Sequence, residues 1–143
     1  MASIIPSLDD CRHSDMKKDE KKVAEILQRK LSKHSKIWIN PSIPPQNIEP
    51  DFLVLDPGRG LLVIEVKDWK IETVEQANND TVILIDNEQP KGTTNPYKQA
   101  KNYAYKITDR LKDTKNLIYP PGHQRQGNLI FPYGLVVVLT NIT

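Results

Sequence analysis

Three residues on neighbouring segments carry the chemistry that this sequence is equipped to do: Asp51, Glu65 and Lys67. They lie on either side of a strong turn signal, Asp56-Pro57-Gly58-Arg59-Gly60, within the run EPDFLVLDPGRGLLVIEVKDWKI from Glu49 to Ile71. The pattern predicts two strands, 51–55 and 61–67, joined as a hairpin. Side chains alternate along a strand, so Glu65 and Lys67 share a face. If the hairpin closes symmetrically about Gly58, Leu55 opposes Leu61, Leu53 opposes Val63 and Asp51 opposes Glu65. Directly opposed residues hold their Cβ atoms roughly 4.5–5.5 Å apart. Two carboxylates that close, in strands that are otherwise apolar on both faces, each need a proton or a cation. A divalent ion resolves the conflict. Mg²⁺ takes oxygen ligands with few protein carboxylates, and such an ion can neutralise charge on a phosphate under attack. Lys67, a point charge on a flexible stem, can then reach the attacking water or the phosphate. The plainer alternative is an ordinary acid–lysine pair at a solvent-facing strand end. The register opposite Asp51 argues against it, and a one-residue bulge would remove that argument.

Three further positions bear on the same chemistry. Glu20 sits on the apolar stripe of a predicted helix, between Met16 and Leu27, where a carboxylate is costly unless paired. It reads either as a third acid of the metal site or as a helix-end residue turned to solvent. Gln99 lies one turn before Tyr103 at the edge of a second helix's apolar stripe. Its amide either hydrogen-bonds locally or positions water or phosphate. Trp69 continues the face of Glu65 and Lys67, so it either stacks on a base or sugar or packs beneath the second helix.

The elements that must position these groups follow from periodicity. A helix is expected over 15–32, with Met16, Val23, Ala24, Leu27 and Leu31 on one stripe. A short strand is expected at 37–39, and a peripheral hairpin or two around Val74 and 82–85. Asn95-Pro96 signals the start of a second helix, with Asn as cap and Pro in the first turn. Its inward stripe is Ala100, Tyr103, Ala104, Ile107 and Leu111. The segment 113–128 reads as a polar loop, and 135–139 (LVVVL) as a last buried strand. Residues 1–14 read as a leader, and 15–143 as one domain cut from a larger protein.

Composition bounds the function. The 143 residues suffice for one domain with its own core, and a formal charge of +2 gives little bulk attraction to nucleic acid, so any such contact must come from local patches. No apolar run reaches about 18 residues, and no membrane span is expected. The first residues lack a secretory pattern, and the single cysteine, Cys11, has no partner for an internal disulfide. A cytoplasmic location is the expectation.

Taken together, these residues resemble a known family. Pro50-Asp51 followed by Glu65-Val66-Lys67 looks like the PD-(D/E)XK signature of restriction-endonuclease-like nucleases. More specifically, the chain resembles the NERD (nuclease-related) domain. That family has a Glu in its first helix, an Asp entering its second strand, an E-x-K strand and a later N-P-x-x-Q-A helix start. The matching positions are Glu20, Asp51, Glu65 with Lys67, and Asn95-Pro96-Tyr97-Lys98-Gln99-Ala100. One departure is Asp19, where the family often has Gly. The resemblance implies an α/β, restriction-endonuclease-like three-layer core in the order αβββαβ, with a mixed central sheet flanked by helices. It implies Mg²⁺ or Mn²⁺ held by Asp51, Glu65 and the Val66 carbonyl, with Glu20 assisting. Lys67 and Gln99 join the acids as catalytic residues, and DNA is the substrate. It also implies fusion to a larger protein such as a helicase, or to a kinase-like module.

Other signals are missing. His13, His34 and His123 have no metal-ligand spacing, one cysteine excludes a zinc ribbon, and no phosphate-binding glycine loop occurs. The lysines of both helices read mainly as solvated faces. Two rivals to a nuclease stay open: a non-cleaving DNA-binding accessory module of a helicase, and a protein-interaction domain. The buried acids are hardest to explain under the second.

Overall fold

A computed structural model of the chain describes residues 1–6 and 16–141. Its centre is a five-stranded mixed sheet. The strands are β1 (Ser3–Ile5), β2 (Lys36–Ile39), β3 (Phe52–Asp56), β4 (Gly60–Lys67) and β8 (Tyr133–Leu139), in the spatial order β1-β2-β3-β4-β8. β2, β3 and β4 run antiparallel to their neighbours in turn, whereas β1 joins β2 and β8 joins β4 in parallel. Helix α1 (Lys18–Lys30) precedes β2, and helix α2 (Pro96–Leu111) precedes β8. Between β4 and α2 the chain forms a second, antiparallel sheet of β5 (Val74–Ala77), β6 (Thr81–Asp86) and β7 (Gln89–Thr94). Leaving aside β1 and this insertion, the order is the expected αβββαβ.

Strand alternation builds the three layers. Phe52, Val54, Ile64 and Val66 point to one face, where they pack with Val23 and Ala24 of α1. Leu53, Leu55, Leu61 and Val63 point to the other, against Ala104 and Ile107 of α2. Both faces of the hairpin are covered, which is why its strands carry no polar alternation. Burying a side chain such as Phe52, 0% exposed, contributes about 1.5–3 kcal/mol.

The turn between β3 and β4 decides the register. Asp56 Oδ1 accepts the Gly58 N–H at 2.9 Å, and the Arg59 N–H donates to the Asp56 carbonyl at 3.1 Å. Gly60 has φ +98°, and a Cβ there would lie 2.1 Å from the Pro132 carbonyl oxygen. Only glycine fits that crossing. The resulting pairs are Leu55 with Leu61 and Leu53 with Val63, as the symmetric hairpin requires.

Elsewhere the structure departs from the sequence expectation. The first helix is described from Lys18 and ends at Lys30, inside the expected bounds; Asp15 itself lies outside the described residues, as do Cys11 and His13. Within the expected leader, Ser3–Ile5 forms an edge strand, and Ala2 and Ile4 enter the core beside α1. Three residues are too few to show a period, and their pairing with 36–38 is non-local. The polar strand β7, QPKGTT, was not anticipated as a strand either. Pro90 and Gly92 disfavour a central strand but are tolerated at a sheet edge. At the second helix the Asn95 side chain accepts the Tyr97 N–H at 2.9 Å, as its capping role demands. Among the described residues no helix is long and apolar enough to cross a membrane.

Candidate active site

The site lies where β3 begins and β4 ends. The ladder between these strands stops at the Phe52–Ile64 pair, so Asp51 and Glu65 come next on either side. Their side chains take over where the backbone ladder stops. The Asp51 N–H donates to Glu65 Oε1 at 3.2 Å, and the Val66 N–H donates to Asp51 Oδ2 at 2.7 Å. The residue before Asp51 is Pro50, which has no N–H to give. The Asp51 carbonyl is fixed in turn by the Asn40 N–H at 2.9 Å. The two carboxylates are thereby locked together by the main chain.

Glu65 is 2% exposed. Burial, and then the charge of Asp51, push its carboxyl up to about 7; the Asp51 N–H and the Lys67 ammonium pull the other way without prevailing. A hydrogen bond to the Asp51 carboxyl raises it further. Near neutral pH Glu65 is therefore poised to hold a proton or to exchange it for a cation.

Lys67 follows on the same face, half-buried at the end of β4, with its carbonyl accepting the Thr140 N–H at 3.0 Å. Glu20 comes from the first turn of α1. Burial, followed by the charge of Asp51, raises its carboxyl above the ordinary range, with Lys17 and Lys67 opposing. The first helix thus brings its acid to the same strand ends. Asp68 also acts on Glu20, a neighbour that the sequence reading did not weigh. The signal was present: continuing the alternation beyond Lys67 turns residue 68 toward the face covered by α1.

Gln99 is different. It is half-buried, and its amide nitrogen donates to the Tyr103 hydroxyl at 3.0 Å, within its own helix. Trp69 borders a cleft formed with the small sheet, where Leu84 and Lys91 are among its neighbours.

The Asp51–Glu65 pair suits a hard divalent ion. It offers carboxylate oxygens and no sulfur or imidazole, and such ions use one or two carboxylates and keep several waters. Among the described residues no group of three His, Cys, Asp or Glu converges closely enough to cage a metal. Glu20, on α1, is close enough to feel the charges of Asp51 and Lys67.

Fold and site define a mixed α/β domain of the nuclease-like class, with its acids at the open end of the central hairpin. The sequence model of the nuclease-related domain (NERD) matches residues 16–140, and the chain belongs to that family. No curated protein and no solved structure matches the chain.

Proposed function

We propose that this domain hydrolyses DNA phosphodiester bonds with the help of Mg²⁺ or Mn²⁺, as a nuclease of PD-(D/E)XK type. The observation that carries the reading is the buried Asp51–Glu65 pair, with Lys67 on the same face. Asp51 and Glu65 hold the ion, the Val66 carbonyl adds a neutral oxygen, and Glu20 assists from α1. When bound, the ion supplies Lewis acidity and charge neutralisation at the phosphate.

The protein's own groups do the rest. The Asp51 and Val66 N–H groups fix both carboxylates before substrate arrives, so little reorganisation is needed at the reacting centre. Lys67 donates to the attacking water or to a non-bridging phosphate oxygen as negative charge develops there. Gln99 positions from α2 once its amide leaves Tyr103. Water attacks phosphorus and gives up a proton to solvent, the bond to the leaving sugar oxygen breaks, and that oxygen takes up a proton; family analogy favours products with a 5′-phosphate.

The family suggests that the domain works within a larger DNA-processing protein, such as a helicase, in the cytoplasm. The test is end-labelled DNA with Mg²⁺ or Mn²⁺, comparing the wild type with Glu65→Ala and Lys67→Ala. Loss of about 10²–10³-fold in rate is expected for each. Cleavage that survives both substitutions removes the reading. DNA binding without cleavage under either ion would instead identify a non-cleaving accessory module.

A further inference from the structure

Directly beside Lys67 the chain forms a cleft of about 570 Å³ between the end of β4 and the small sheet. Trp69, Lys70 and Asp68 form one wall, and Lys91, Leu84 and Asp86 are on the other. The Trp69 wall is held in place. The Thr140 N–H donates to the Lys67 carbonyl at 3.0 Å, and Asn141 Nδ2 donates to the Asp68 carbonyl at 3.3 Å. One turn on, Thr73 Oγ1 donates to the Lys70 carbonyl at 2.7 Å.

Trp69 is only half-buried, and Lys70 and Lys91 are exposed. In the lining, lysines outnumber carboxylates three to two once Lys67 is included. The cleft therefore joins an aromatic surface, a net positive lining and the candidate catalytic lysine in one continuous space. That combination suits one splayed-out nucleotide: a base with a free π-face and a flanking phosphate on each side. An intact duplex keeps its bases stacked inside and offers none to Trp69.

We infer that this cleft receives an unpaired base of the substrate strand, stacked on Trp69, with Lys70 and Lys91 on the adjacent phosphates. The substrate class is then single-stranded or frayed DNA, not closed duplex. The inference rests on the nuclease reading for the bond that is cut, but the binding it describes needs no cleavage.

The experiment uses that independence. The chain has two tryptophans, and Trp38 lies on β2, lining a separate apolar cavity on the side of α2. In a Trp38→Phe background the fluorescence reports Trp69 alone. The protein is titrated in EDTA with a single-stranded oligonucleotide and with the matching duplex. Quenching by the single strand is expected, with at least about tenfold tighter binding than to the duplex. With binding read by anisotropy of an end-labelled oligonucleotide, Trp69→Ala should weaken single-strand affinity about tenfold, whereas Trp69→Phe should retain most of it. Lys91→Ala should lower the slope of log affinity against log salt by about one. Equal affinity for duplex, no quenching, or an unchanged affinity in Trp69→Ala each overturns the inference. Binding as expected with no cleavage under Mg²⁺ or Mn²⁺ overturns the nuclease reading and leaves this one standing.

Discussion

At its two ends the β3–β4 hairpin holds carboxylates against backbone N–H groups, and the two ends shift in opposite directions. At the turn, Asp56 accepts the Ser35 hydroxyl at 2.8 Å and the Gly58 N–H at 2.9 Å. The Ser35 bond, and then the Gly58 bond, hold its carboxyl below the ordinary range. At the open end, Glu65 also accepts a backbone N–H, yet it is pushed up to about 7 by burial and by Asp51. Hydrogen bonding alone does not separate the two. What separates them is company: Asp56 has donors and solvent, whereas Glu65 is buried beside a second acid. A carboxylate satisfied by donors holds a turn, and one crowded against another acid is poised to take up a cation.

The largest expected effect breaks the comparison outright. Glu65→Gln should reduce metal-dependent DNA cleavage on the order of 10³-fold, because an amide cannot replace the anionic oxygen. Asp56→Asn should leave the cleavage rate unchanged. Equal losses from both would mean that the open end has no special role.

Next comes pH. With its carboxyl raised from 4.5 to about 7, Glu65 keeps a proton in the folded protein that the unfolded chain releases. The contribution of Glu65 to the stability of the metal-free protein should therefore fall as pH rises from 4.5 to about 7 and level off above. Urea midpoints measured in EDTA across this range would show it. Glu65→Gln should flatten the curve, and a wild-type curve already flat would contradict the crowding argument.

Gly60→Ala attacks the register that joins the two ends. A positive φ and a Cβ 2.1 Å from the Pro132 carbonyl oxygen both oppose it. A loss of roughly 2 kcal/mol or more in unfolding free energy is expected, together with weaker cleavage, as Asp51 slips from its place opposite Glu65. Unchanged cleavage in a destabilised protein would show that the acids do not depend on the turn.

The smallest effect should come from Ser35→Ala. It removes a donor from Asp56 and should lower the melting temperature slightly at neutral pH. Asp56 has its folded carboxyl lowered, so that contribution is present above its ordinary value of 3.8 and lost as pH falls through the folded one. The difference from wild type should vanish in strong acid, with cleavage untouched throughout.

Much of the site was legible because the hairpin is local. A turn of five residues and a period of two bring Asp51 opposite Glu65 with no knowledge of the rest of the chain. The second helix was legible for a similar reason, since Asn95 and Pro96 act on their own first turn. Non-local pairing hid the remainder. β1 exists only because 36–38 lies alongside it, and β7 only because β6 offers an edge to a polar segment. The face of Asp68 follows from alternation beyond Lys67, but Glu20, which feels its charge, is 48 positions earlier in the chain.

By itself, then, the amino-acid order settled the hairpin, its register and the residue types at its open end, because each depends on contacts within a few residues. Folding in three dimensions decided how far Glu65 is buried, that Glu20 of α1 comes within electrostatic reach of Asp51, and that Trp69 borders a cleft with the small sheet. Those outcomes depend on segments that meet across long stretches of chain, and desolvation and Coulomb coupling act through space, not along the sequence.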